Sequence, residues 1–307
     1  MGISQEAEQF ADALGSATAK TGTPGLEMSV IRDVIDASFQ RMSTEPEGVT
    51  YAEVDAGGVP ALWCIPEDAE PRQALLHFHN GGSVVASMYS DRKAAGHLAK
   101  AAGIRTLVVD FRLAPENPYP AQLDDAETAY RWLLSQGYTP RTIATTGHSI
   151  GGTLAVLLPL RLLANGEETP AAVVSMSPWC DLTIQNETIE TNASADRALS
   201  REALELFRAA WLQDPELSHA DPKINLLSAD LTGLPPTGLY YGEYEVLAGE
   251  DAEFGRRLVE HGVTSEAHCL PGGQHSYVLG AGRVPEIDES IQHMGQWLRR
   301  HLGDQAG

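Results

Sequence analysis

Lysine is the scarcest charged residue of this 307-residue chain. Only Lys20, Lys93, Lys100 and Lys223 occur, and the other 17 of the 21 basic residues are arginines. Forty-two acidic side chains oppose them, for a formal net charge of −21. Such a surface repels the phosphates of nucleic acid and anionic lipid, so no nucleic-acid partner is expected. A plain solvated acidic surface accounts for the charge better than a specific charged partner. Cysteine is also sparse. Cys64, Cys180 and Cys269 form no C-x-x-C pair, and each lies in or beside an apolar run. Buried free thiols in a reducing compartment follow as the expectation. No run of 18 apolar residues occurs, which argues against a membrane-spanning helix and stable membrane insertion. The segment Met1-Gly2-Ile3-Ser4-Gln5-Glu6 has neither a basic nor an apolar leader region, and Glu6 stands where a myristoylation signal wants Ser or Thr. A cytoplasmic location is therefore expected. There is no H-E-x-x-H, no clustered set of metal ligands and no dinucleotide-type G-x-G-x-x-G, so neither a metal nor an organic cofactor is implied.

What is present is a regular alternation. Apolar, β-branched runs at 73–79, 105–111, 142–148, 171–177, 237–243 and 265–270 read as buried strands. Helical patterns at 87–102, 119–136, 150–165, 246–262 and 285–302 separate or follow them. This rhythm predicts an α/β fold with a mostly parallel central sheet and helices on both faces. Two further strands, Val49 to Val54 and Pro60 to Ile65, flank the Gly57-Gly58 turn and predict an antiparallel edge. Helices are expected at 4–14 and 26–42. Residues 184–222 break the rhythm with a polar loop, a helix from Arg201 to Leu212, and Asp221-Pro222. With 43% hydrophobic residues the chain can bury one large core.

The most informative segment is Gly147-His148-Ser149-Ile150-Gly151-Gly152. It joins the strand ending at 148 to the apolar run Thr153 to Leu163. A G-x-S-x-G between strand and helix is a nucleophile elbow, a strained turn that small neighbours permit and that lifts a serine hydroxyl towards a ligand. Upstream, strand 73–79 runs into Asn80-Gly81-Gly82-Ser83. A glycine pair there can turn backbone N–H groups towards an anion, so Gly81, Gly82 and the amide of Ile150 are candidate oxyanion donors. His79 is expected to orient that loop. A serine hydroxyl needs an imidazole to take its proton. Of the histidines after Ser149, His275 stands in the glycine-rich loop Pro271-Gly272-Gly273-Gln274-His275-Ser276-Tyr277 after the last strand, at the carboxyl edge where open α/β sheets bind ligands. His261, His293 and His301 lie on helices and His268 within a strand. Asp110, Arg112 and Glu116 are spaced so that an arginine fork can pair with the carboxylates and pin their loop, a supporting role.

The blocks His79-Asn80-Gly81-Gly82, Asp110 to Glu116 (DFRLAPE), Gly147 to Gly152 and Ser177 to Thr183 (SPWCDLT), in this order, resemble the signature motifs of hormone-sensitive-lipase-type carboxylesterases of the α/β-hydrolase fold. The resemblance extends from about Glu45 to the C-terminus. Asn80 replaces the family's third glycine, His148 its acidic residue or threonine, Ile150 its alanine, and Phe111 a frequent tyrosine. The resemblance implies a serine, acid and histidine in that chain order. Glu245-Val246-Leu247 matches the family's aspartate-proline-leucine register, which implies Glu245 as the acid, with Glu243 and Asp251 as alternatives. It also implies a helical cap built from residues 1–45 and 184–222 over a core of 46–183 and 223–307. Phe10, Leu14, Ile31, Ile35, Phe39, Phe207 and Trp211 are candidates for the cap's apolar underside. A homodimer is plausible by the same likeness. The expected activity is hydrolysis of short- to medium-chain uncharged esters through an acyl-enzyme. A lactone hydrolase, or a homologue that binds a small ligand without cleaving it, is the alternative.

Overall fold

The structure is a computed structural model and describes residues 3–19 and 25–302. Of the expected N-terminal helical region, residues 1–2 and 20–24 lie outside the described residues, as do 303–307 at the other end. Helices α1 (Gln5–Thr18) and α2 (Met28–Phe39) precede the sheet. The Gly57-Gly58 turn then joins β1 (Val49–Asp55) to β2 (Pro60–Pro66) as an antiparallel pair. There follow β3 (Glu70–Phe78), α3 (Met88–Ala102), β4 (Ile104–Val109), α4 (Ala121–Ser135), β5 (Ile143–His148), α5 (Ile150–Ala164) and β6 (Ala172–Met176). The irregular segment holds the short α6 (Thr188–Thr191), inside the expected polar loop, and α7 (Arg201–Trp211). β7 (Thr237–Gly242), α8 (Ala248–Glu260), β8 (Ser265–Leu270) and α9 (Pro285–His301) complete the described elements.

The eight strands form one sheet in the order β1-β2-β4-β3-β5-β6-β7-β8, parallel from β4 to β8. Central strands β4, β5 and β6 are buried at nearly every position, because helices cover both faces of a parallel sheet. On one face Leu154, Leu158, Phe254 and Leu258 of α5 and α8 pack with Tyr130 of α4. On the other, α3 and α9 pack against each other and are joined by Phe10, Ile35 and Trp211 from α1, α2 and α7. α1 extends past the expected end because its apolar face continues through Leu14 and Ala17. Its N-cap Ser4 donates to Glu286 of α9 at 3.0 Å, tying the first helix to the last. Cys64 and Cys180 are buried as expected, but Cys269 is exposed. β8 is the last strand of the sheet, and an apolar run there leaves one side uncovered. No helix among the described residues is long and apolar enough to cross a membrane.

Parallel strands bring their carboxyl ends to one edge, so the loops after β3, β5, β6, β7 and β8 converge. Beneath them lies a buried polar cluster. Asp91 of α3 accepts from His77 Nε2 at 2.7 Å and from His148 Nε2 at 2.9 Å, and His77 Nδ1 meets Thr146 Oγ1 at 2.8 Å. One carboxylate thus joins the strand that leads to Gly81 with the strand that leads to Ser149. Burial alone would raise the Asp91 carboxyl, but the His148 and His77 rings outweigh it and hold it well below the usual carboxylate range.

Two predictions follow from the packing. An ideal Cβ at Gly295 of α9 would lie 2.5 Å from the Ala101 carbonyl of α3, so Gly295→Ala forces the helices apart and lowers unfolding stability by about 1–3 kcal/mol in urea titrations. Asp91→Asn removes the charge that two buried imidazole N–H groups face and costs about 3–5 kcal/mol at neutral pH. Because the native pKa is depressed, the wild-type advantage is complete above pH ~4 and fades only as pH falls below it; denaturant midpoints at pH 7 and pH 3 measure both values.

Candidate active site

Ser149 occupies the turn between β5 and α5 with φ 58° and ψ −130°, a conformation that a side-chain-bearing residue adopts only under strain. Its amide donates to Met176 O at 2.9 Å, which fixes the turn against β6. Its Oγ lies 2.8 Å from His275 Nε2. His275 Nδ1 lies 2.7 Å from Glu245 Oε2. A carboxylate only accepts, so Nδ1 carries the proton and Nε2 offers its lone pair to the hydroxyl. Serine, imidazole and carboxylate are all buried, with Glu245 at 0% exposure.

Glu245 is held by more than the ring. Its Oε1 accepts from Ser177 Oγ at 3.0 Å and from the Gly242 amide at 2.5 Å. Burial pushes the Glu245 carboxyl up, and the hydrogen bond and charge of His275 draw it back part of the way. The two alternative acids face elsewhere. Glu243 accepts from the Gly272 amide at 2.8 Å, bracing the base of the histidine loop. Asp251 sits in the core of α8 with its Oδ1 3.5 Å from Cys180 Sγ. Burial, reinforced by the charges of Glu245 and Glu250, holds Asp251 well above the usual range.

The loop after β3 brings Gly81 and Gly82 beside Ser149 in one small cavity of about 40 Å³, lined also by Leu14, Phe39, Asn80, Val85, Leu199, Ala203, Phe207 and His275. Both glycines have positive φ, 99° and 61°. A Cβ on Gly81 would fall 2.0 Å from Val85 O, and one on Gly82 would meet the Phe207 ring at 2.5 Å. A side chain at Gly81 would run into backbone, and one at Gly82 would have to displace the Phe207 ring. Ile150, the residue after the serine, starts α5, so its amide belongs to the partly positive helix N-terminus. His79 stacks on Phe111 with centroids 4.1 Å apart and donates from Nδ1 to Asn80 O at 2.8 Å, which braces the turn. A groove of about 580 Å³ between α1, α2 and α7 adjoins the cavity and shares Val85, Leu199, Ala203 and Phe207 with it.

The expected pairing among Asp110, Arg112 and Glu116 does not form. Arg112 turns its fork onto Asp125 of α4, at 2.8 and 3.0 Å, because that carboxylate sits buried in the first turns of the helix the loop runs into. Asp110 instead accepts from the Met88 amide at 2.9 Å. Exposed Glu116 pairs at 2.7 Å with Arg32 of α2. Arg32 also donates to Val84 O and Ala114 O at 2.8 Å each, so it pins the loop that carries Gly81 and Gly82.

Several supporting residues were given no role from sequence. Ser177 was visible only as part of a motif. Asn192 donates to Glu243 O and Glu245 O at 3.0 and 2.9 Å, and Asp196 accepts from the Val246 amide at 2.8 Å. Gln274 accepts from the Arg197 amide at 2.7 Å and donates to Ala195 O at 3.1 Å. These bonds bind the irregular segment to the loops that carry the acid and the histidine. Two groups of potential metal ligands occur among the described residues, His77/Asp91/His148 and Glu266/His268/His293, and neither includes a residue of the Ser149 cavity.

A family model described as an alpha/beta hydrolase fold, Abhydrolase_3, matches residues 75–279. An esterase of Acinetobacter venetianus is 29% identical over 289 residues, 94% of this chain and 94% of its own. An acetyl-hydrolase of Streptomyces hygroscopicus is 29% identical over 295 residues, 91% of this chain and 98% of its own. The crystal structure of an esterase from the bacterial hormone-sensitive lipase family matches with a TM-score of 0.92 at 33% identity, over 99% of this chain and 100% of that one. With that fold, those relatives and this cleft, the chain is a carboxylic ester hydrolase and belongs to the hormone-sensitive-lipase-type carboxylesterases of the α/β-hydrolase superfamily.

Proposed function

We propose that the chain hydrolyses short- to medium-chain uncharged esters through an acyl-enzyme on Ser149. The observation that carries this reading is the unbroken line Ser149 Oγ to His275 Nε2 at 2.8 Å and His275 Nδ1 to Glu245 at 2.7 Å. His275 takes the Ser149 proton as Oγ attacks the ester carbonyl. The amides of Gly81, Gly82 and Ile150 stabilise the negative oxygen of the tetrahedral intermediate. His275 then gives its proton to the leaving alcohol. Water enters, loses a proton to the same imidazole and attacks the acyl carbonyl, and the acid leaves as Ser149 recovers its hydrogen. Glu245 holds the ring in the required tautomer and offsets the charge of the imidazolium.

The dimensions favour a small acyl group. The cavity at Ser149 is narrow and mostly apolar, and the wider groove beyond Phe207 has room for the alcohol portion. The acetyl-hydrolase relative supports the same assignment. α1, α2 and the 184–222 segment act as the cap that excludes water from the intermediate. Glu245 is assigned as the acid because, of the three candidate carboxylates, it is the one hydrogen-bonded to the ring.

Turnover of p-nitrophenyl acetate and butyrate tests the assignment. Ser149→Ala is expected to lower kcat by ~10⁴-fold or more, and Glu245→Gln by ~10²–10⁴-fold with KM little changed. Glu243→Gln and Asp251→Asn should stay within a few fold of wild type. Full activity in Glu245→Gln removes that residue from the mechanism. Absence of turnover at every chain length, with saturable binding of an intact small molecule, replaces the hydrolytic reading with ligand binding. Asp251 also has a pH signature. Its native pKa is raised, so its contribution to stability is complete below the ordinary carboxylate range and is lost as pH rises through the raised value. Asp251→Asn is neutral at every pH, and its Tm relative to wild type is expected to climb as pH rises above the ordinary carboxylate range.

A further inference from the structure

The last strand and the last helix bring together side chains that the ester chemistry does not use. Glu266 and His268 alternate along β8 and so share one face of the sheet. His293 comes from α9, and its ring lies 4.2 Å, centroid to centroid, from that of His268. One ligand atom from each of the three lies within 4.8 Å of the others. His268 Nε2 is 3.4 Å from Glu266 Oε2. The buried Tyr240, paired with His268 across β7 and β8, stacks on it at 5.0 Å and places its hydroxyl 2.9 Å from His293 Nδ1.

We propose that Glu266, His268 and His293 form a binding site for a divalent transition metal of the Zn²⁺ class, clipping the edge strand to the final helix. Two imidazoles and one carboxylate are a donor set that Zn²⁺ accepts, with a fourth position left for water. The Tyr240 hydroxyl supplies the outer partner such sites use. When His293 Nδ1–H donates to it, Nε2 is left as the ligand and the ring is held in orientation. Tetrahedral bonds of ~2.1 Å need donor atoms roughly 3.4 Å apart, so from a spread of up to 4.8 Å the group has to close by up to about 1.4 Å, which half-exposed side chains at a sheet edge can do. Arg300 opposes closure. It donates to both Glu266 oxygens at 3.1 and 3.3 Å and competes with the metal for the carboxylate. β8 stands three places from β5 in the sheet, so the site is separate from Ser149.

The test uses the full chain stripped with EDTA. Calorimetric titration with ZnCl₂ is expected to show one saturable site, and thermal scans a rise in Tm of a few degrees at hundredfold excess over Kd. Co²⁺ at the same place should give the visible absorption of a tetrahedral complex. His268→Gln and His293→Gln each weaken binding at least tenfold, Tyr240→Phe by ~10-fold, and Arg300→Gln tightens it. Turnover of p-nitrophenyl acetate remains unchanged as the site fills. The proposal is overturned if Mg²⁺ raises Tm as much as Zn²⁺, which marks general attraction to an acidic surface. It is equally overturned if Zn²⁺ binding survives both histidine substitutions, or if binding tracks loss of esterase activity and so belongs to His275.

Discussion

Everything at the reactive edge of this molecule is arranged around one dry carboxylate. Glu245 has no exposure to water, and its two oxygens take hydrogen bonds from a ring, a hydroxyl and an amide. An ionised carboxylate in such a place is tolerable only while those donors stay put. The constraint runs outward from there. Ser177 must stand at the end of β6, His275 must remain on its loop, and Gly242 must end β7. Asn192 and Asp196 hold the turn between β7 and α8 from the far side. The irregular segment is therefore anchored to the backbone that presents Glu245 as well as lining the cavity at Ser149.

The parts that sequence reasoning reached are those whose causes are local. The elbow was legible because a strained serine demands small neighbours within a few residues. The histidine loop was legible because it follows a strand and is rich in glycine. The sheet was legible because buried parallel strands are apolar at consecutive positions. Glu245 was harder. Four carboxylates, Glu243, Glu245, Glu250 and Asp251, lie within nine residues, and what sets Glu245 apart is contact with His275 and Ser177, 30 and 68 positions away. The arginine error has the same source. Arg112 had carboxylates two and four residues away, but the chain turns there, and the partner that meets its fork is thirteen residues on in α4. Cys269 shows the limit of reading burial from an apolar run, since the outer side of an edge strand carries the same residues as a covered one. Asn192, Asp196 and Gln274 gave no signal, because a polar residue that fixes a loop looks like any other polar residue in it.

His148 illustrates how a departure from a family pattern can be absorbed. Where the family resemblance leads one to expect an acidic residue or threonine, this chain has an imidazole, and the carboxylate that meets it stands on α3 as Asp91. A second imidazole, His77, takes the other oxygen. The elbow and the turn carrying Gly81 and Gly82 thereby lean on a common support. From outside, Arg32 of α2 adds a second brace to that turn. Ser149 and the Gly81-Gly82 turn are thus held from below by the core and from above by an N-terminal helix.

The helix behind the nucleophile is unlike its surroundings. α5 is buried without interruption from Ile150 to Pro159, whereas α7 buries only Leu204 and Trp211 and leaves Leu206 63% exposed. The amides of α5 can meet solvent only when the whole domain opens, but those of α7 need only a local excursion. Hydrogen exchange is accordingly expected to be slower in α5, beneath Ser149, than in α7. Under the proposed mechanism, a local opening of α7 would admit substrate and release product while the turn that holds Ser149 stays in place.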